Sequence, residues 1–169
     1  MNSVNRGRSG ERLTFARSDG RHFQIGPIAL ETLLGYAQDE PFKPEAGGVL
    51  LGRHLLDTRD VVVDRVTTPQ PGDRQARLRF FRACRRHQRL IDRAWVESGG
   101  TCTYLGEWHT HPEPNPTPSW IDSLDWRRKL AFDRYTEPIF FVIVGTAEMR
   151  AWEGRRYGHL AALRRIEER

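Results

Sequence analysis

Two histidines one residue apart, His109 and His111, are followed by Ser119 and Asp122 in the segment EWHTHPEPNPTPSWIDSLDW, from Glu107 to Trp126. No other stretch of the sequence combines metal-ligand chemistry with ligand spacing. Strand side chains alternate faces with a period of two, so imidazoles at i and i+2 project from one side of an extended chain and can reach one ion. Asp122 lies beyond a proline-punctuated loop. Its carboxylate would complete a set of three protein ligands with a fourth position open, the pattern of a catalytic zinc site. An open position admits water or a substrate group and so implies chemistry.

Such a cluster needs a strand, a stiff loop and a helix in that order. TCTYLGEWHTH is rich in β-forming residues and predicts the strand, and the alternating prolines of PEPNPTP hold the loop extended. SWIDSLDWRRKLAFDRY predicts the helix, with Thr117-Pro118 suited to its cap and first turn. Ser119 and Asp122 then stand at i and i+3, neighbours on one helix face. Trp108 and Thr110, alternating with the histidines, are expected to face the core. Asp125 and Glu113 are nearby carboxylates at other spacings, and His22, His54, His87 and His159 have no partner at ligand spacing; structural or exposed roles are expected for these four.

The rest of the chain supplies the frame. LTFARSDGRHFQI predicts a β-hairpin turning at Ser18-Asp19-Gly20. IALETLLGYAQDE carries Ile28, Leu33, Leu34 and Ala37 at helical spacing, with Pro27 in the first turn and Pro41 as the limit. Phe42-Lys43-Pro44 is an extended connector into Glu45. AGGVLLGRHLL predicts a strand whose glycines at 47, 48 and 52 let another backbone approach, and DVVVDRVTT its antiparallel neighbour. Residues 69 to 80, rich in Pro, Gly and charge, read as a surface loop. A helix follows in ACRRHQRLIDRAWVESGG, striped by Leu90, Ile91, Ala94 and Trp95 and stopped by Gly99-Gly100. IFFVIVG predicts a buried strand, and EMRAWEG with YGHLAALRRI two more joined by a hairpin at Glu153-Gly154. There is no internal repeat or domain linker. A polar, mobile tail is expected over 1–10 and a single domain over 11–169.

Composition narrows the function classes. The 169 residues can bury about two-thirds of the surface of the unfolded chain, so no staple is needed. Cys84 and Cys102 are too few for a disulfide framework, which points to a reducing, cytoplasmic setting. No apolar run reaches the roughly 18 residues of a membrane span, and no signal-peptide core is present, so no membrane partner is expected. The net charge of +5 comes from 27 basic residues dispersed among 22 acidic ones. A nucleic-acid partner needs a concentrated patch, so none is expected here.

With these residues assembled, the pattern resembles the JAMM (MPN-plus) zinc metalloprotease family. It reads His109-x-His111, seven residues, Ser119, two residues, Asp122, with Glu45 upstream before a Gly-Gly-Val-Leu-Leu-Gly strand. The wording GEWHTHPEPNPTPS is similar to bacterial members found beside ubiquitin-like conjugation and CBASS antiphage genes. The resemblance implies an α+β, three-layer MPN/JAB fold with a mixed, largely antiparallel central sheet flanked by helices. It implies one Zn2+ per chain on His109, His111 and Asp122, with Glu45 as general base and Ser119 steadying the oxyanion. It further implies a zinc-dependent isopeptidase or peptidase acting on the C-terminal tail of a ubiquitin-like protein and its conjugated target, such as an E2-like or cyclase-type protein.

Other zinc and nucleophile classes fail on the sequence. There is no H-E-x-x-H helix, no chain length for an amidohydrolase barrel, and no S-x-x-K ahead of a K-T-G. Nothing flanking Cys84 or Cys102 supports a thiol protease. The remaining alternative is an MPN-fold scaffold or binding module whose zinc is not catalytic.

Overall fold

The computed structural model describes residues 10–167. The tail expected over 1–10 lies, apart from Gly10, outside the described residues. The hairpin forms as expected: β1 (Leu13–Ala16) pairs antiparallel with β2 (His22–Ile25), and Gly20 takes the left-handed turn position. Helix α1 (Pro27–Gly35) opens on Pro27 but stops short of the expected span. Beyond it, Gln38 turns inward and donates its side-chain amide to the carbonyls of Lys43 and Arg77, an alternative to further helix.

Strands β3 (Gly47–His54) and β4 (Val61–Val66) are antiparallel neighbours, as their sequences predict. The stretch expected as an irregular loop instead holds a second hairpin, β5 (Arg74–Ala76) with β6 (Arg79–Phe81). Nearly every residue in it is exposed, so no buried-exposed alternation marks it in the sequence. Then follow α2 (Cys84–Glu97), β7 (Thr103–Thr110), α3 (Trp120–Phe132), β8 (Ile139–Val144), β9 (Met149–Gly154), β10 (Ala161–Ala162) and β11 (Arg164–Ile166). Glu153-Gly154 lies inside β9, so the expected hairpin turns later, through Tyr157 at φ 57° and a Gly158 N–H bond to Arg155 O.

Nine strands form one sheet in the order β10-β9-β8-β7-β3-β4-β2-β1-β11, parallel at β2–β4 and β7–β8 and antiparallel elsewhere. Only Leu163 separates β10 from β11, so one terminal segment pairs with β9 on one side and β1 on the other. The sheet thereby closes on itself. Across that seam Arg17 grips Glu153 with two buried hydrogen bonds, Nε to Oε2 at 2.9 Å and Nη2 to Oε1 at 3.1 Å.

Strand β8 shows how the layers arise. Phe140, Val142 and Val144 join Phe15, Phe23, Ile25, Leu33 and Trp108 in a core on the α1 side. Ile139, Phe141 and Ile143 pack on the other face against Trp126 and Leu130 of α3. On that same side Ala94 and Ile91 of α2 cover Val49 and Leu51 of β3. The expected α+β architecture, a mixed and largely antiparallel sheet between helices, is the one the chain forms. Among the described residues no helix is long and apolar enough to cross a membrane.

Glycines let backbones meet at the sheet centre, most closely at Gly106. Register shifts between Leu50 and Leu51 opposite β7, and there Gly106 sits at φ 147° with its backbone against Phe140 of β8. A Cβ at this position would lie 1.7 Å from the Phe140 carbonyl oxygen. Gly106→Ala is therefore expected to destabilise the protein by roughly 3 kcal/mol or more, read as a lowered urea midpoint.

Candidate metal centre

β7 presents two chemistries on its two faces. Trp108 and Thr110 point into the α1-side core, where the Trp108 indole donates to Thr67 O at 2.9 Å. Glu107, His109 and His111 line the opposite face, toward α3 and the β5–β6 hairpin.

Helix α3 delivers the carboxylate. Its N-cap is Ser119, two residues later than the Thr117-Pro118 pair favoured by sequence, and the cap is a reciprocal box. Ser119 Oγ accepts from the Asp122 N–H at 3.1 Å, and Asp122 Oδ2 accepts from the Ser119 N–H at 2.7 Å. These two bonds fix the Asp122 rotamer as well as the helix start. The [ST]-x-x-[DE] spacing carried that signal in the sequence.

The three groups converge. The Nε2 atoms of His109 and His111 lie 3.0 Å apart, and Asp122 Oδ1 and Oδ2 stand 3.4 Å and 3.3 Å from them respectively. One donor atom from each residue falls within 4.8 Å of the others, a group able to hold a metal ion. Nδ1 of His111 is buried without a hydrogen-bond partner, so no neighbour competes to orient that ring away from the cluster. Burial would raise the Asp122 pKa, but hydrogen bonds from His109, His111 and Ser119 outweigh it and hold the carboxyl well below the usual range. His111 moves the other way: burial alone would lower its pKa, and Asp122, Glu45 and Glu113 together raise it.

Glu45 arrives from the residue pair just before β3. Its Oε1 is 3.8 Å from His111 Nε2, and the side chain is nearly buried. Burial pushes its pKa up to about 7 against the pull of His111, with the charges of Asp122 and Glu113 adding to the rise. Of the carboxylates set aside on spacing, Glu113 stays 3.9 Å from His111 Nδ1 and half exposed, and Asp125 pairs with Lys129. His87 is buried in a structural role, bonded to Thr67 Oγ1 at 2.7 Å and to Asp73 at 2.9 Å, where Asp73 also caps α2 through the Ala83 N–H. His22 pairs with Asp60, while His159 is exposed.

Sequence reasoning missed Glu107, Lys129 and Arg82. Glu107 Oε1 meets Arg82 Nη2 at 2.6 Å and its Oε2 meets Lys129 Nζ at 2.6 Å, in a nearly dry layer. Burial would raise its pKa, and the two cations hold it below the usual range instead. Glu107 thus locks α3, through Lys129, onto the strand that carries both histidines. Charge order alone offered no signal, since its partners lie on separate elements.

Comparison with known proteins gives the family. Residues 29–154 match the family described as prokaryotic homologs of the JAB domain. The chain is 39% identical over 124 residues to a CD-NTase/cGAS isopeptidase of Vibrio cholerae serotype O1, covering 73% of this chain and 75% of that protein. It is also 39% identical over 135 residues to a CD-NTase/cGAS isopeptidase of Pseudomonas aeruginosa, covering 78% and 83%. Among solved structures it is similar to protein DSY2949 from Desulfitobacterium hafniense, with a TM-score of 0.54, 26% identity, and coverage of 80% and 84%.

The capping box makes a prediction about metal affinity. Ser119→Ala removes one of the two bonds that orient the Asp122 segment, so affinity for an added divalent metal by competitive chelator titration is expected to fall roughly 10- to 100-fold. Helix stability should drop by only about 1 kcal/mol. Equal affinity in the two proteins would show that the box serves the helix alone.

Proposed function

Because the chain belongs to the family of prokaryotic homologs of the JAB domain, we propose that it is a JAMM-type zinc isopeptidase or peptidase that removes or C-terminally processes a ubiquitin-like modifier in a bacterial antiphage or ubiquitin-like conjugation system. The observation that carries this reading is the meeting of Glu45 with the His109, His111 and Asp122 group, from elements far apart in the chain.

The donor set fits zinc. Two imidazole nitrogens and one carboxylate, converging with no fourth protein ligand among the described residues, make an open nitrogen–oxygen site of the catalytic kind. His109, His111 and Asp122 would hold the ion. When bound, zinc supplies Lewis acidity, bringing the pKa of water toward about 7 and polarising the carbonyl under attack.

The chain's own residues do the rest. Glu45 takes the proton of the attacking water and returns it to the amine that leaves when the amide or isopeptide bond breaks. Ser119 uses a lone pair of Oγ to accept from the Asp122 N–H, which leaves its O–H free to donate to the developing oxyanion. Glu107 holds α3, and with it Asp122 and Ser119, at a fixed height over β7.

The relatives and the surface support a reading of substrate and setting. Those relatives are named as isopeptidases of CD-NTase/cGAS. A cyclase-type or E2-like protein is accordingly the conjugated target proposed here. The β5–β6 hairpin, a two-stranded sheet beside Glu45, offers an edge on which an extended modifier tail can gain backbone hydrogen bonds. Both cysteines are free thiols, in keeping with a cytoplasmic site of action.

Glu45→Gln tests the mechanism against a scaffold role. Cleavage of modifier fusions is expected to fall about 10²- to 10⁴-fold while zinc content stays near one per chain. Unchanged cleavage would sink the assignment. A strong chelator should likewise abolish cleavage, with added zinc restoring it. The circular dichroism spectrum should meanwhile hold, since a domain of this size keeps its core without metal.

A further inference from the structure

Thr110 lies between the two histidines but faces away from them, and it is fully buried among apolar neighbours. Its hydroxyl nonetheless has two partners. Oγ1 accepts from the Ala46 N–H at 3.0 Å and donates to Gln38 Oε1 at 2.9 Å. The Thr110 N–H in turn donates to Ala46 O at 2.9 Å, so both backbone groups of Ala46 are bound to a single residue. Ala46 precedes the first ladder pair of β3 with β7, Gly47 opposite His109. The clamp therefore extends that ladder by one residue and ends at Glu45.

Gln38 continues the chain of bonds outward. Its Nε2 donates to Lys43 O at 3.0 Å and to Arg77 O at 2.9 Å, in the connector and in the turn of the β5–β6 hairpin. Both amide hydrogens and the amide oxygen are thus occupied, and only one orientation of the amide satisfies all three partners. The hairpin also holds Glu45 directly. The Glu45 N–H donates to Ala76 O at 2.8 Å, and its carbonyl accepts from Gln75 Nε2 at 2.9 Å. Every backbone bond on Glu45 and Ala46 thus runs either to the hairpin or to Thr110, and Gln38 joins those two anchors.

We propose that Gln38 and Thr110 are positioning residues for Glu45, fixing where its carboxylate stands relative to the histidine pair and coupling that position to the β5–β6 hairpin. The proposal rests on the reading of Glu45 as the base. Its physical basis is that buried hydrogen bonds are costly to leave unmade. A shift of about 1 Å at a reacting group can cost on the order of 100-fold in rate. A polar pair in an apolar layer, with every donor and acceptor matched, permits few alternative placements of the backbone it holds. Neither side chain contacts the ligand atoms, and because Thr110 shares its backbone with both histidines, zinc content separates an effect carried by the Glu45–Ala46 backbone from one carried by the ligands.

Thr110→Val keeps the side-chain shape and removes the hydroxyl, Thr110→Ser keeps the hydroxyl, and Gln38→Met removes the amide. On a modifier fusion, Thr110→Val and Gln38→Met are expected to lower kcat roughly 10- to 100-fold, with KM within about twofold and zinc content unchanged. Thr110→Ser should recover most of the lost kcat. Residue-resolved hydrogen exchange supplies a readout apart from activity: the Ala46 amide should exchange at least about tenfold faster in Thr110→Val and at the wild-type rate in Glu45→Gln. Wild-type kcat in both hydroxyl-free and amide-free variants would overturn the proposal. So would a loss explained by KM or by missing zinc, or a failure of Thr110→Ser to rescue. If Thr110→Val does not fold, Gln38→Met and Thr110→Ser carry the same comparison. Full cleavage by Glu45→Gln would instead remove the base assignment and this proposal with it, an outcome distinct from any result with the Thr110 and Gln38 variants alone.

Discussion

The pleat of β7 is the constraint on which the rest depends. One strand must offer two imidazoles to the α3 side while its intervening residues fill the core on the α1 side, and a slip by a single residue would exchange the two sets. Register is held from several directions. Gly106 allows β8 to approach closely, the Trp108 indole is tied to Thr67, and Glu107 is gripped by cations from two other elements. The most heavily bonded residues thus flank the histidines rather than being the histidines themselves.

Charge burial follows the same plan. Glu107, Arg82 and Lys129 sit in a layer that water scarcely reaches, where a lone charge would be expensive. Their mutual pairing makes that layer tolerable and fixes the height of α3. On the other side of β7, Thr110 and Gln38 form a neutral hydrogen-bonded pair, while the buried Arg17–Glu153 ion pair lies at the seam against Phe140. Neutral hydrogen bonds hold the backbone before β3, and ionic ones join α3 to β7 and close the seam.

How legible this was in the sequence depended on the range of each interaction. The closeness of His109 and His111 follows from a period of two, and that of Ser119 and Asp122 from a helical step, so four residues could be placed from local rules. Glu45 had no local signal, and only the resemblance attached it to the cluster. The β5–β6 hairpin was hidden because exposed strands lack alternation, and α1 was overextended because the Gln38 bonds that replace helix run to distant carbonyls. Thr110 was expected in the core and is there, but its bond to Gln38 joins residues 72 positions apart and leaves no trace in spacing. Elements whose form depends on neighbours in sequence were readable, while long-range polar pairings were not.

The segment that closes the sheet has a consequence for how the molecule fluctuates. It joins Thr14 to Ile166, the pairing of longest range in the sheet, and Ala161 to Glu153 in a local hairpin, each through only a few pairs. Long-range pairings are slow to form because chain entropy must be lost before they contribute. The β3–β7–β8 centre, by contrast, is broad and internally paired. Opening at the seam would break fewer ladder pairs than opening at the centre, and the Arg17–Glu153 fork spans that line. The line of fewest pairings thus lies two strands away from the one that carries the ligands.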